Sequence, residues 1–224
     1  MVQSGTRKIR KLFNHAYAIS MNPNGTRFKQ TRKSAKKAGL NITAVPGVLV
    51  TNSMAKKGIR GISRKIHNFK RGRGVIGCFL GHRKVLEKIA NDKTDKSEAT
   101  LIFEDDVIFP SNFLESLENI KEQFPSDWDL VFLGNTKTLR GKKLSKNIFE
   151  VHGDIFPWGA WAYIVKNSSV KTRLLPELNI MKEAIDHQYC MMSKTANIYR
   201  IYPNIVKLNK TTHSNIMQIS SKSI

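Results

Sequence analysis

Ala99-Thr100-Leu101-Ile102-Phe103-Glu104-Asp105-Asp106 decides how this chain is read. Its first five residues form a short unbroken apolar run, the pattern of a strand covered on both faces of a sheet. Its last three are carboxylates placed at that strand's carboxyl end, where open α/β sheets bind their ligands. Adjoining carboxylates raise one another's pKa values, and a bound cation relieves the repulsion. Hard oxygen donors favour magnesium, manganese or calcium for that role. Alternation sends Glu104 and Asp106 to one side and Asp105 to the other. Glu104 and Asp106 thus make an acid-x-acid pair able to grip one metal. The competing reading is three solvated acids where a strand turns polar.

Similar strands lie on either side. His15 to Ser20 reads as a short buried strand ending in the turn Met21-Asn22-Pro23-Asn24-Gly25. Residues 26–38 read as a strongly basic helix with a thin apolar stripe at Phe28 and Ala35, closed by Gly39. Asn41 to Val50 suggests a second strand broken at Pro46-Gly47, and the glycine-rich, basic stretch from Lys56 to Arg73 suggests a mobile loop. Helical periodicity runs from Ile76 to Ile89, and again from Pro110 through Phe113, Leu114, Leu117 and Ile120. Asp129 to Leu133 reads as a buried strand stopped by Gly134. Beyond a polar linker around residues 136–147 come a strand over Trp158 to Val165, a helix over 179–193 and a last strand over Ile198 to Tyr202. Strands alternating with helices predict an α/β domain with a mainly parallel sheet. It spans residues 14–216, between a basic lead-in at 1–13 and a loose tail at 217–224.

A chain of 224 residues suits one domain, and its 40% apolar content excludes wholesale disorder. Its 38 Lys and Arg against 17 Asp and Glu give a net charge of +21, which concentrates polyanions: nucleic acid, anionic membrane or phosphorylated small molecules. A basic nucleic-acid-binding protein is therefore the rival class, resting on charge and on Lys56 to Arg73, but no zinc finger or RRM signature accompanies it. The cysteines, Cys78 and Cys190, lack metal-ligand spacing such as Cys-x-x-Cys and read as reduced thiols. The basic N-terminus lacks the apolar core of a signal peptide, and no apolar run reaches the roughly 18 residues of a membrane span. The expectation is a cytoplasmic protein, with peripheral contact to an anionic membrane left open. Sequons at Asn24, Asn41, Asn167 and Asn209 read as chance.

Six segments carry a resemblance. They are Gly77-Cys78-Phe79-Leu80-Gly81-His82, Leu101 to Val107, Trp128-Asp129-Leu130-Val131-Phe132-Leu133-Gly134, Gly159-Ala160-Trp161-Ala162-Tyr163, Ile185-Asp186 and Ser214-Asn215-Ile216. In that order they resemble glycosyltransferase family 25, which includes lipooligosaccharide and collagen hydroxylysine galactosyltransferases. Three features depart from the family pattern. Gly81 replaces a usual Ser, Val75 replaces a common acidic residue, and the first helix is unusually basic. They leave donor identity open.

The resemblance implies a GT-A fold with a central mixed sheet, a UDP-sugar donor, a divalent metal (manganese or magnesium) and inversion at the anomeric carbon. It implies galactose first and glucose next, moved to a hydroxyl of a glycan, glycolipid or collagen-like acceptor. Glu104, Asp105 and Asp106 match the metal motif, with Asp106 the first choice for direct ligation, Glu104 beside it, and His213 as a late ligand or else an exposed tail histidine. Asp105 falls in the donor region. Asn22 and Arg27 lie over the nucleotide, Arg27 either pairing with phosphate or being one more solvated helix charge. His82 sits beside the donor or is a satisfied core histidine. Trp158, Gly159 and Trp161 form a sugar platform or belong to the core. Asp186 is the candidate catalytic base and His187 its rival; the alternative for Asp186 is a helix N-terminal or salt-bridging role. A catalytically silent scaffold is a further alternative, opposed by the intact acidic triplet.

Overall fold

The computed structural model describes residues 13–57, 59–62, 72–95, 97–135, 141–152 and 159–209. Residues 1–12, most of the Lys56 to Arg73 stretch, Trp158, His213, the Ser214-Asn215-Ile216 motif and the 217–224 tail lie outside that description. The chain runs β1 (Phe13–Ser20), α1 (Thr26–Lys37), β2 (Thr43–Pro46), α2 (Asn52–Lys57), α3 (Gly72–Asn91), β3 (Ala99–Glu104), β4 (Val107–Ile108) and α4 (Phe113–Lys121). It continues through β5 (Leu130–Gly134), β6 (Ile148–Glu150), β7 (Ala162–Lys166), α5 (Ile185–Met191), β8 (Ile198–Ile201) and β9 (Lys207–Leu208). Seven strands make one sheet in the order β2-β1-β3-β7-β5-β8-β6, and β4 pairs with β9 in a small ribbon. Strands β2, β1, β3, β5 and β8 point one way; β7 and β6 run against them. The sheet is mixed and mostly parallel with helices on both faces, as the α/β expectation holds.

Period-2 alternation divides the core in two. Leu101 and Phe103 of β3, Val131 and Leu133 of β5 and Ala162 and Ile164 of β7 face one cluster, with Phe28 of α1 and Phe113 and Leu117 of α4. Ile102, Leu130, Phe132, Tyr163 and Val165 face the other, with Ile76, Phe79, Val85 and Leu86 of α3 and Tyr189 of α5. Each large apolar side chain fully buried this way contributes about 1.5–3 kcal/mol before its ordering entropy is subtracted. Among the described residues no helix is long and apolar enough to cross a membrane.

Four readings change. Helix α3 begins at Gly72 rather than Ile76, and within it Gly77 is needed for close packing: a Cβ there would lie 2.4 Å from the Val48 carbonyl oxygen. The strand expected over Trp158 to Val165 starts at Ala162 and inserts antiparallel between β3 and β5. The helix expected over 179–193 shrinks to Ile185–Met191 with a 3-10 turn, Met192–Lys194. The preceding residues are drawn elsewhere, with the Met181 N–H donating to the Gly61 carbonyl and the Lys182 N–H to the Gln188 side chain. The sequence reading also passed over β6 and three consecutive helical turns, Asn167–Ser169, Val170–Leu174 and Leu175–Glu177.

Candidate active site at the carboxyl ends of β1 and β3

Parallel pairing sets Ile19 of β1 beside Glu104 of β3, so the β1–α1 turn and the acidic triplet share one edge of the sheet. In the turn, the Gly25 N–H donates to the Asn22 carbonyl, and the Asn22 side-chain oxygen accepts from the Asn24 N–H. Asn22 is exposed and shapes the turn that delivers Arg27 to the first turn of α1.

Alternation holds for Glu104 and Asp105 and then fails: the strand ends at Glu104, residues 105–106 form a turn, and Asp106 shares the Arg27 guanidinium with Asp105 where strand geometry put it with Glu104. Asp105 is buried and faces β1 and α1, not the open side of the cluster. One of its oxygens accepts from the Ser20 hydroxyl at 2.5 Å, the other lies 2.6 Å from Arg27 Nε, and its carbonyl accepts from the Thr31 hydroxyl at 2.7 Å. This places Asp105 as an anchor of the site, where the donor-region reading expected a ligand contact. Arg27 is not a solvated helix charge: its guanidinium also reaches Asp106 Oδ2 at 2.8 Å. The other Asp106 oxygen, Oδ1, is buried with no hydrogen-bond partner. Burial, then the neighbouring Glu104 charge and that of Asp105, raise the Asp106 pKa to about 7 against the pull of Arg27. A carboxylate at once buried, crowded by charge and under-coordinated is the kind of group a cation satisfies.

Glu104 points to the opposite face, toward α3. Its Oε1 lies 3.5 Å from Nε2 of His82. Burial alone would raise its pKa, but His82 and Arg27 outweigh burial and hold it below the usual carboxylate range. His82 is fully buried, and its Nδ1 meets the Tyr163 hydroxyl at 2.8 Å, which in turn meets the Tyr189 hydroxyl at 3.0 Å. It is therefore a packed core histidine whose second nitrogen faces Glu104. One helical turn earlier, Cys78 brings its sulfur into the same group: ligand atoms of Cys78, His82 and Glu104 all lie within 4.8 Å of one another. Burial first, then the charges of Glu104, Asp186 and Asp106, push the Cys78 thiol well above its ordinary pKa.

Asp186 is tied to the same edge through residues 159–161, which it holds at Gly159 and which hydrogen-bond to Glu104 at Trp161. In the first turn of α5, its Oδ2 accepts from the Gly159 N–H at 2.7 Å and its Oδ1 from its neighbour His187's N–H at 3.0 Å. The carboxylate is fixed by two backbone donors. The Gly159 turn it holds has φ of +90°, and a Cβ there would lie 2.0 Å from the Trp161 indole nitrogen. That close approach explains the glycine. Trp161 itself is partly buried against the α1-side core, and its carbonyl accepts from the Glu104 N–H at 2.7 Å. Gly81, where the family pattern has Ser, packs on β1: a Cβ would come 3.2 Å from Ile19 Cγ2.

Asn135, which follows β5, was missed by sequence reasoning. It is buried, yet among the described residues neither its side-chain nitrogen nor its oxygen has a hydrogen-bond partner, and the nearby Asn204 side-chain oxygen is equally unmatched there. Asn204 donates to the Asn135 carbonyl at 2.6 Å. A lone Asn after a strand carries no periodic signal; only its tertiary setting singles it out. Chemically, the edge offers carboxylate oxygens on Glu104 and Asp106, a cation in Arg27, a carboxylate on Asp186 fixed by two backbone donors, and the Asn135 amide. Among the described residues, Asn22, Arg27, His82, Glu104, Asp105, Gly159 and Asp186 all occupy this edge or the elements bordering it.

The sequence pattern of the family described as "Glycosyltransferase family 25 (LPS biosynthesis protein)" matches residues 13–157. The chain is 30% identical over 118 residues to procollagen galactosyltransferase 1 of Danio rerio, covering 50% of this chain and 19% of that protein. It is 38% identical over 65 residues to inactive glycosyltransferase 25 family member 3 of Homo sapiens, covering 28% of this chain and 10% of that protein. The chain thus spans at most about a fifth of the length of these two relatives. A solved glycosyltransferase involved in glycosylation of the major capsid of PBCV-1 aligns with TM-score 0.46 and 9% identity, over 80% of this chain and 71% of that one.

Proposed function

The chain belongs to glycosyltransferase family 25, and from that membership and the geometry of its edge we propose that it moves a hexose, galactose first, from a UDP-sugar to an acceptor hydroxyl with inversion. The acceptor class is a glycan, a glycolipid or a collagen-like hydroxylysine; the galactosyltransferase name of a relative supports the sugar. The observation that carries the reading is that Arg27 and Asp106 lie at one sheet edge with Glu104, to which Asp186 is linked through residues 159–161, and that one Asp106 oxygen is buried and unmatched among the described residues.

In this reading Glu104 and Asp106 hold a manganese or magnesium ion, and their oxygen donors fit such hard ions. The ion, when bound, offsets the negative charge that gathers on the departing diphosphate. Arg27 supplies a second positive charge beside the same carboxylates and is able to pair with a phosphate. Asp186 takes the acceptor hydroxyl's proton as the new glycosidic bond forms and the bond to the diphosphate breaks. Its two backbone donors fix the carboxylate's orientation, which general-base catalysis requires. The last described residue, Asn209, donates its N–H to the Asp106 carbonyl at 2.7 Å. His213, four residues on, is within about 14 Å of reach even in extended chain, which keeps it as a proposed late ligand. Trp158 keeps its proposed place beside Gly159 in a sugar platform.

Arg27 seated on Asp106 also favours a second reading, a catalytically silent member whose internal cation replaces the metal. Calorimetric titration with UDP-galactose and UDP-glucose, with manganese present and then chelated, separates the two. Metal-dependent binding that Asp106→Ala abolishes supports the transferase. A folded wild-type chain that binds neither sugar nucleotide overturns it.

A further inference from the structure

Cys78 and His82 stand four residues apart on α3, a spacing that puts both side chains on one helical face. That face looks across to Glu104 at the end of β3. His82 Nε2 is buried and has no hydrogen-bond partner, and at 3.5 Å from Glu104 Oε1 it is too far for a good hydrogen bond. Its other nitrogen meets the Tyr163 hydroxyl. If Nδ1 donates that bond, the Nε2 lone pair faces the sulfur and the carboxylate. This is the arrangement in which an outer hydrogen bond sets the tautomer of a metal-binding histidine.

We propose that Cys78, His82 and Glu104 form a site for a soft divalent transition metal of the zinc class. A tetrahedral zinc ion with thiolate, imidazole and carboxylate ligands holds those atoms about 3.3–3.8 Å apart. The His82–Glu104 pair already has that separation, and the remaining pairs lie within 4.8 Å, so closure needs a shift of about 1 Å. Three protein ligands leave a fourth position for water. As the sulfur binds, the Cys78 thiol proton leaves to solvent. The site does not depend on the transferase reading, but it shares Glu104 with the hard-metal pair. A thiolate and an imidazole prefer zinc or cobalt to magnesium, whereas Glu104 and Asp106 prefer magnesium or manganese. Occupancy of the soft site thus draws Glu104 away from the hard one, and zinc acts as a competitor of manganese.

The test titrates the full chain with cobalt(II) alone, without sugar nucleotide, and follows near-ultraviolet thiolate-to-cobalt charge transfer. One equivalent should develop the band, and zinc should bleach it by displacement. Cys78→Ser should lose the band and weaken zinc binding at least about a hundredfold, more than loss of an outer hydrogen bond does. Cys190→Ser should keep both, since Cys190 is wholly buried outside this group. Absence of the band in the wild type, or its survival in Cys78→Ser, overturns the site; the wild-type result decides even if that variant fails to fold. The transferase reading fails on a different measurement, manganese-dependent sugar-nucleotide binding by the wild type, so either can fall alone.

Discussion

Arg27 clasps both aspartates of the acidic triplet, with Nε 2.6 Å from Asp105 Oδ1 and a terminal nitrogen 2.8 Å from Asp106 Oδ2. All three side chains are largely withdrawn from solvent, so the pairing is closer to a buried ion cluster than to a surface salt bridge. Removing one partner of such a cluster leaves uncompensated charge and costs about 3–5 kcal/mol. Arg27→Ala should lose that much in denaturant unfolding, while Arg27→Lys, which keeps the charge but not the two-pronged fork, should lose less. Saturating manganese should return more stability to Arg27→Ala than it adds to the wild type, because the ion replaces the missing cation. Equal gains in both proteins would mean that the metal does not engage Asp106.

Asp106 gives the metal-free protein a pH signature. Its folded pKa of about 7 stands above the ordinary 3.8. Between those values the native state holds a proton that the unfolded chain has already released. Stability therefore falls as pH rises from about 4 to about 7 and then levels off. Manganese should cancel the decline, and its affinity should weaken below about pH 7, where the proton competes for the same oxygen. Melting temperatures across this range, with and without manganese, test both statements. Asp106→Asn should flatten the metal-free curve; a curve of unchanged slope would assign the effect to another group.

The proposed base role of Asp186 predicts a variant that separates binding from chemistry. Asp186→Asn keeps an oxygen able to accept from the Gly159 N–H, so the turn at φ +90° should persist. Donor affinity by calorimetry should stay near wild type, while transfer should drop about 10²–10⁴-fold with loss of a general base. Full transfer activity in this variant would place the base elsewhere, with His187 the next residue to test.

The strand and the directions of Glu104 and Asp105 were legible because a period-2 pattern fixes both burial and side-chain direction; Asp106 escaped it because the chain turns after Glu104 and Arg27 draws it beside Asp105. Phe103 and Asp105 do face α1, and Ile102 and Glu104 do face α3. Strand direction was not legible. A four-residue apolar run such as 162–165 carries no mark of strand direction, and only pairing reveals that β7 runs against its neighbours. The N-terminal turn of α3 was hidden because glycine lowers helix propensity by about 1 kcal/mol per residue. The close approach of Gly77 to Val48 that requires glycine is a tertiary fact. Cys78 was set aside for lacking a Cys-x-x-Cys partner; its partners come from the next helical turn and from a strand 26 residues on, by number in the chain. Arg27 was undecided among many basic residues on one helix until the fold placed two carboxylates against it.

Asn135 offers a test in which stability and function part company. A buried amide with neither hydrogen-bonding atom matched costs the fold about 1–3 kcal/mol relative to an apolar residue of similar shape. Such a cost at the carboxyl end of β5, on the same sheet edge as Glu104, suits a residue kept to read a hydroxyl of the sugar or the acceptor, since an amide both donates and accepts. Asn135→Leu should therefore hold or raise the melting temperature while lowering transfer efficiency through a raised KM for one substrate. Asn135→Asp, which cannot donate when ionised, should lose the same function without gaining stability. Should Asn135→Leu destabilise the protein and leave both KM values untouched, the amide is structural and is matched by an ordered water.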